Sequence, residues 1–183
     1  MSKLIKTLIP LILLIATTIV FSCKTNQPLN TQLIEIDETK IGIESEAFRG
    51  TIYTEKYPHN YLFLSEVDST SYRWTPSQDE ILKTESILRN KLKESAQYVP
   101  MNGASGCPII HKKLKHYYRQ YVAFKNEKGE RIIHINCHWD KKRNYYAYDT
   151  DYTLVMDGCS YYWSVSVNLD TGELFDLWVN GVA

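Results

Sequence analysis

The stretch from Tyr162 to Asn180 constrains this chain more than any other. It reads YWSVSVNLDTGELFDLWVN, two runs of alternating apolar and polar residues around Thr171-Gly172. A period of two is the signature of a strand with one buried face, and a glycine after a polar residue supplies the positive φ of a hairpin turn. Pairing Leu169 with Glu173 fixes the register. Val167 then faces Phe175, Val165 faces Leu177 and Trp163 faces Val179. All six are apolar, so this face should lie on a core. The opposite face carries Tyr162, Ser164, Ser166, Asp176, Trp178 and Asn180, polar except for its aromatics.

Two further turns extend the pattern. Asp157-Gly158 reads as a two-residue hairpin turn, pairing Met156 with Cys159 and Leu154 with Tyr161. Lys128-Gly129 closes a hairpin over 119–139. There Ile133, Ile135 and Cys137 point one way, while Phe124, Ile132, His134 and His138 point the other. Apolar residues on both faces predict a strand covered on both sides, with the 33–66 segment as the cover. Within that segment LIEI (33–36), IGI (42–44), TIYTE (51–55) and YLFLSEV (61–67) each read as a strand. Residues 101–116, with two glycines and a proline, read as a loop.

One helix stands out. Thr75 reads as its N-cap, Pro76 as its first residue and Gln78 as the partner in a capping box; Pro100 stops it. Ile81, Leu88, Leu92 and Ala96 share one face at a period of 3.6. Glu85 lies inside that stripe. A buried carboxylate must be paired, hydrogen-bonded or protonated. Arg119 is the candidate partner, because the hairpin places it opposite Cys137 on the side of Tyr121, Ile133 and Ile135. Tyrosine hydroxyls are the alternative.

The chain opens with MSKLIKTLIPLILLIATTIVFSC. Lys3 and Lys6 precede an uncharged, almost wholly apolar run from Leu8 to Phe21, too short for a spanning helix and the right length for a secretory leader. Without its first 22 residues the chain has 161, and its formal charge is −2. So nearly neutral a domain has no global field for nucleic acid phosphates. Val20, Ser22 and Cys23 match the lipobox, and here the chain resembles bacterial lipoproteins. That resemblance implies a lipid on Cys23 and anchorage to a membrane through it. Lys24, where some Gram-negative bacteria place a retaining Asp, implies the outer membrane, periplasmic or surface-facing. Residues 1–22 then form the leader, 23–32 the lipidated cysteine and tether, and 33–183 a single globular domain.

The TPSQDEI helix start, the block RQYVAFKNEKGERIIHINC and the ending DGCSYYWSVSVNLDTGELFDLWVNGVA resemble small uncharacterised envelope lipoproteins of the Bacteroidota, a resemblance that implies no activity. A helix followed by antiparallel strands is also similar in shape to cystatin-like and PepSY-like modules.

Candidate chemistry is sparse. GASGC (103–107) lacks the G-x-S-x-G spacing of a hydrolase elbow. Cys107, His134 and Asn136 have the residue types of a papain-like site without its local signatures. His134 and His138, four apart on a strand, stand about 13 Å from one another, too far to share a metal. Asp149-Thr150-Asp151 starts like a calcium loop but lacks the required Gly and Glu. The run NYYAYDTDY holds Tyr145, Tyr146, Tyr148 and Tyr152, which read as packing under a loop or as a contact surface for peptide or glycan. Cys107, Cys137 and Cys159 are an odd set, read as buried thiols with a bridge through Cys107 as the alternative.

The sequence therefore predicts an α+β fold, one long helix packed on an antiparallel, hairpin-built sheet. It predicts no catalytic residue, cofactor or metal. The expected role is a membrane-anchored envelope module that binds a protein or a glycan through Trp178, Tyr162, Ser164 and Asn180. A small Cys- or Ser-dependent hydrolase and a structural or inhibitor-type lipoprotein are the alternatives.

Overall fold

The computed structural model describes residues 30–65, 67–68 and 70–181. Residues 1–29, with the expected leader, lipobox, Cys23 and most of the expected tether, lie outside the described residues. Seven strands form one sheet in chain order: β1 (Thr31–Glu35), β2 (Lys40–Ser45), β3 (Arg49–Tyr53), β4 (Tyr117–Lys125), β5 (Arg131–Trp139), β6 (Tyr162–Asn168) and β7 (Leu174–Val179). Neighbours run antiparallel except β3 and β4, which are parallel. Parallel neighbours cannot be joined by a tight turn, so the chain must cross a face of the sheet between them. Helix α1 (Gln78–Ala96) lies in that crossover, followed by the short α2 (Ile110–Lys113). The fold is α+β, with the long helix on the sheet as the sequence predicts; the parallel β3–β4 pair is an addition to the antiparallel pattern.

Helix α1 buries Ile81, Leu88, Leu92 and Ala96 against Ile133, Ile135, Val165 and Val167 of the sheet, the stripe its period predicts. It starts two residues later than predicted. Ser77 is the N-cap: its hydroxyl accepts from Glu80 N–H, and the Glu80 carboxylate accepts from Ser77 N–H at 2.9 Å. A carboxylate closes a capping box better than the Gln78 amide would, and it also faces the positive helix end. Thr75 bonds Glu55 instead. The reading of 101–116 as pure loop misses α2, whose Ile110 is buried in the core.

The last hairpin keeps the predicted register at its open end, where Trp163 faces Val179 and Ser164 faces Trp178. It then slips by one. Ser166 faces Phe175, and Val167 faces Leu174 rather than Phe175. Asp176, at φ 50°, sits in the irregular part of β7. The slip turns Leu174 toward the helix-side core and releases Phe175 to the other face, against Tyr53, Val122, Phe124 and Ile132.

The predicted Asp157-Gly158 hairpin does not form. Gly158 (φ 87°) opens a 3-10 turn, Cys159–Tyr161, and Met156 is 79% exposed. Asn180 explains why, because its amide donates to the carbonyls of Val155 (2.6 Å) and Asp157 (2.9 Å) and ties that segment to the end of β7. The same turn brings Cys159 to the 103–108 loop, where it forms a disulfide with Cys107 across a Cα separation of 6.4 Å. The expectation of three buried thiols gives way to the alternative, a bridge through Cys107; among the described residues Cys137 is the free cysteine, and it is buried.

The second face of the sheet is covered over β3, β4 and β5, as the two-sided β5 predicts, and open over β7. The 33–66 segment contributes in two ways. Its first three predicted strands pair into the sheet, whereas YLFLSEV is irregular, with Leu62 and Val67 buried over Val122, Phe124 and Ile132. Residues 140–152 cover a further part, burying Tyr146 and Tyr152. Gly50, mid-strand in β3, is required by this packing, because a Cβ there would lie 2.2 Å from the Arg119 carbonyl oxygen.

Candidate functional site

The side chains that the sequence singles out fall into two groups, one sealed between helix and sheet and one on the opposite face. In the sealed group, Glu85 and Arg119 are each 1% exposed, with Arg119 Nε 2.6 Å from Glu85 Oε1. Arg119 pairs with Cys137 across the β4–β5 ladder, as the hairpin arithmetic requires. Tyr121 adds the predicted hydroxyl, donating to Glu85 Oε1 at 2.8 Å. Burial opposes the Arg119 charge, but the Glu85 carboxylate outweighs it and holds the guanidinium pKa above its usual value. Burial, then the neighbouring Glu85 charge, raises the Tyr121 phenol. The pair is sealed between helix and sheet, and none of the four described grooves is lined by it.

On the other face, three cross-strand rows run over β5, β6 and β7. His138 faces Tyr162; Asn136 faces Ser164, which faces Trp178; His134 faces Ser166, which faces Phe175. Trp178 is 69% exposed, while Tyr162 and Ser164 are half-buried. His134 Nδ1 and Ser166 Oγ are 3.2 Å apart. The rows lead into an open groove of about 880 Å³ between the 65–72 loop, the β4–β5 turn and β7. Phe124, Ile132, Ser166 and Phe175 contribute to its floor, and Tyr72 to its rim. A groove of this size with mixed polar and apolar lining can accommodate a small ligand or a stretch of polymer.

Asn180 does not belong to this surface. It is buried, and both its amide bonds go to the 155–157 backbone. Its place two residues beyond Trp178 predicted a shared face but could not predict a segment lying across it. Phe175 is the residue the sequence misplaces. A signal exists, because Leu174-Phe175 and Leu177-Trp178 are adjacent apolar pairs, and strict alternation cannot bury both members of each.

The candidate nucleophiles are constrained. Cys107 is bonded to Cys159, so it presents no thiolate to His134 or Asn136. The Asn136 amide donates to Gln120 Oε1 and the Thr153 carbonyl. Cys137 is fully buried, and burial raises its thiol pKa far above the ordinary range. The side chain of Ser105 lies outside the described residues. His138 is sealed between Tyr146, whose hydroxyl lies 3.3 Å from Nδ1, and the ring of Tyr162. Burial lowers its pKa to about 4. His134 and His138 thus keep separate partners, and among the described residues no group of His, Cys, Asp and Glu could hold a metal ion. Asp151 pairs with Lys40 at 2.9 Å in a polar loop.

Of the tyrosine run, Tyr146 stacks on Tyr118 with ring centroids 5.3 Å apart, and Arg49 lies between the rings of Tyr118 and Tyr148. Packing therefore accounts for three of the four, and Tyr145 alone is largely exposed. No family model matches the chain, and no curated protein or solved structure does either.

Proposed function

We propose that this protein is a lipid-tethered, non-catalytic module of the bacterial envelope that binds a glycan strand through the face running from Trp178 into the groove beside Phe175. The observation that carries the reading is Trp178 itself, 69% exposed near the end of edge strand β7, whose other face is packed. A large exposed indole on a rigid sheet is a contact residue in waiting. Ser164 opposite it and the ring of His134 in the next row are half-buried groups that can exchange hydrogen bonds with sugar hydroxyls. The indole offers a flat apolar surface to a sugar ring at little entropic cost. The face is broad and shallow, which suits a polymer better than an engulfed small molecule. The Cys107–Cys159 disulfide supports an exported location, since such bonds persist in oxidising compartments.

The test is a titration of the protein with soluble peptidoglycan fragments and with purified surface polysaccharide, read by tryptophan emission and by retention on the immobilised polymer. Binding should change the emission of the parent, and Trp178→Ala should abolish both signals without lowering the melting temperature. Equal retention of parent and Trp178→Ala would refute the assignment of this face. Retention of neither glycan, with saturable crosslinking of an envelope protein at Trp178, would replace the glycan by a protein ligand.

A further inference from the structure

The connectivity of the sheet puts the start of the domain and a cluster of unpaired lysines at the same end. Thr31 opens β1 opposite Ser45, the last residue of β2. Arg49 opens β3 opposite Tyr118 at the start of β4, and Tyr117 faces Trp139 at the end of β5. The stretch before β4 holds Lys112, Lys113 and Lys115, and the stretch after β5 holds Lys141 and Lys142; all five are exposed. Asp140 N–H donates to the His116 carbonyl at 2.7 Å, joining the two stretches into one patch. Arg143 connects the patch to the first strands, donating to the Ser45 carbonyl at 3.0 Å. Among the described residues no carboxylate lies within ion-pair distance of any of the five lysines. Of the acids at that end, Asp140 is held by Arg49 and Glu44 by Arg143, while Glu46, Glu94 and Asp157 are exposed without reaching any of the five lysines. Tyr145, whose N–H donates to Asp140 at that end, is exposed.

We infer that this end of the sheet is a docking surface for anionic lipid headgroups in the membrane that holds the chain. The inference rests on the proposed lipid at Cys23. From Cys23 to Asn30 are seven peptide steps, at most about 24 Å fully extended. Strands β4 and β5, nine residues each, are about 30 Å long. The tether is thus shorter than the sheet, so an upright domain can stand on the bilayer only with the end where the tether enters turned toward it. Lysines with aromatic neighbours are the composition that suits a headgroup layer, and one acyl anchor plus a basic patch holds more firmly than either alone. The groove beside Phe175 opens at the opposite end, by the β4–β5 turn, so the docked domain presents it away from the membrane.

Lysine acylation footprinting of the full mature protein on vesicles tests this. On vesicles containing phosphatidylglycerol, Lys112, Lys113, Lys115, Lys141 and Lys142 should be labelled about fivefold more slowly than on pure phosphatidylcholine. Lys128 at the far turn should be labelled equally on both. Added salt should abolish the difference, because exposed charges are screened. The triple variant Lys112→Glu, Lys113→Glu, Lys115→Glu alters only exposed side chains, should melt like the parent, and should lose the protection of Lys141 and Lys142. Equal labelling of both ends on anionic vesicles, or protection of Lys128 instead, would overturn the inference. Protein without the Cys23 lipid, added to the same vesicles, separates the two ideas. Salt-sensitive protection there supports the patch even if Cys23 proves unmodified, and its absence together with a lipidated Cys23 refutes the patch alone.

Discussion

Removing the carboxylate of Glu85 perturbs the core where a buried ion pair with Arg119 joins helix to sheet. Glu85 and Arg119 are each 1% exposed and 2.6 Å apart, and Tyr121 also donates to Glu85 at 2.8 Å. In Glu85→Ala the guanidinium keeps the Tyr117 carbonyl at 2.8 Å but loses its counter-charge, and the Tyr121 hydroxyl loses its acceptor. Stranding one member of such a pair costs about 3–5 kcal/mol. In a domain of this size each kcal/mol moves the melting temperature by about 2–4 °C, so a drop on the order of 10 °C should appear in calorimetry or in a thermal scan of circular dichroism. The double variant Glu85→Ala, Arg119→Met removes the stranded charge. It should recover a large share of the loss, because a buried pair replaced by apolar side chains is often near neutral. Glu85→Ala melting within about 2 °C of the parent would show that the pair contributes no such energy, and a double variant as unstable as the sum of the singles would show that the two groups are not coupled.

Three further outcomes follow from the same packing. His138 is neutral in the fold, with its pKa lowered from 6.5 to about 4 by burial, so the unfolded chain binds its proton more readily. Its stabilisation is complete above pH 6.5 and is lost as pH falls toward 4, about 2 kcal/mol of it between pH 7 and pH 5; urea melts at the two pH values should show this loss, and His138→Gln should flatten it. Serine at both Cys107 and Cys159 opens a loop of 52 residues and should cost about 4 kcal/mol on the chain-entropy account, read as a lower urea midpoint matched by the reduced parent. Gly50→Ala should destabilise by about 1–3 kcal/mol, since its Cβ has only the Arg119 backbone to displace; a neutral result would mean that β3 and β4 are spaced more widely than described.

Much of this architecture is readable from local pattern, because the energies that set it are local. The α1 stripe, the β4–β5 hairpin and the open end of the last hairpin follow from periods of 3.6 and 2, and the pairing of Glu85 with Arg119 follows from combining those periods. What escapes is set by contacts between distant segments. The parallel β3–β4 pair has no local signature, since nothing within TIYTE announces a neighbour that comes after the whole crossover. The Asp157-Gly158 dipeptide has good hairpin chemistry, yet the Asn180 amide captures the preceding carbonyls. The slip at Asp176 exchanges Phe175 for Leu174 on the core face, because the second face has its own cluster to fill. The Trp178 surface was legible as a row of strand positions; the groove beyond it was not, because its walls come from the 65–72 loop and the β4–β5 turn.

The proposed orientation of the domain rests on the proposed lipid at Cys23, and intact-mass analysis of the protein extracted from its native envelope tests that tether most directly. The account predicts a chain that begins at Cys23 and carries a thioether-linked diacylglycerol on its sulfur, with Cys23→Ala either unprocessed or released from the membrane fraction. A mature chain that begins elsewhere, or an unmodified Cys23 in membrane-bound protein, would contradict it.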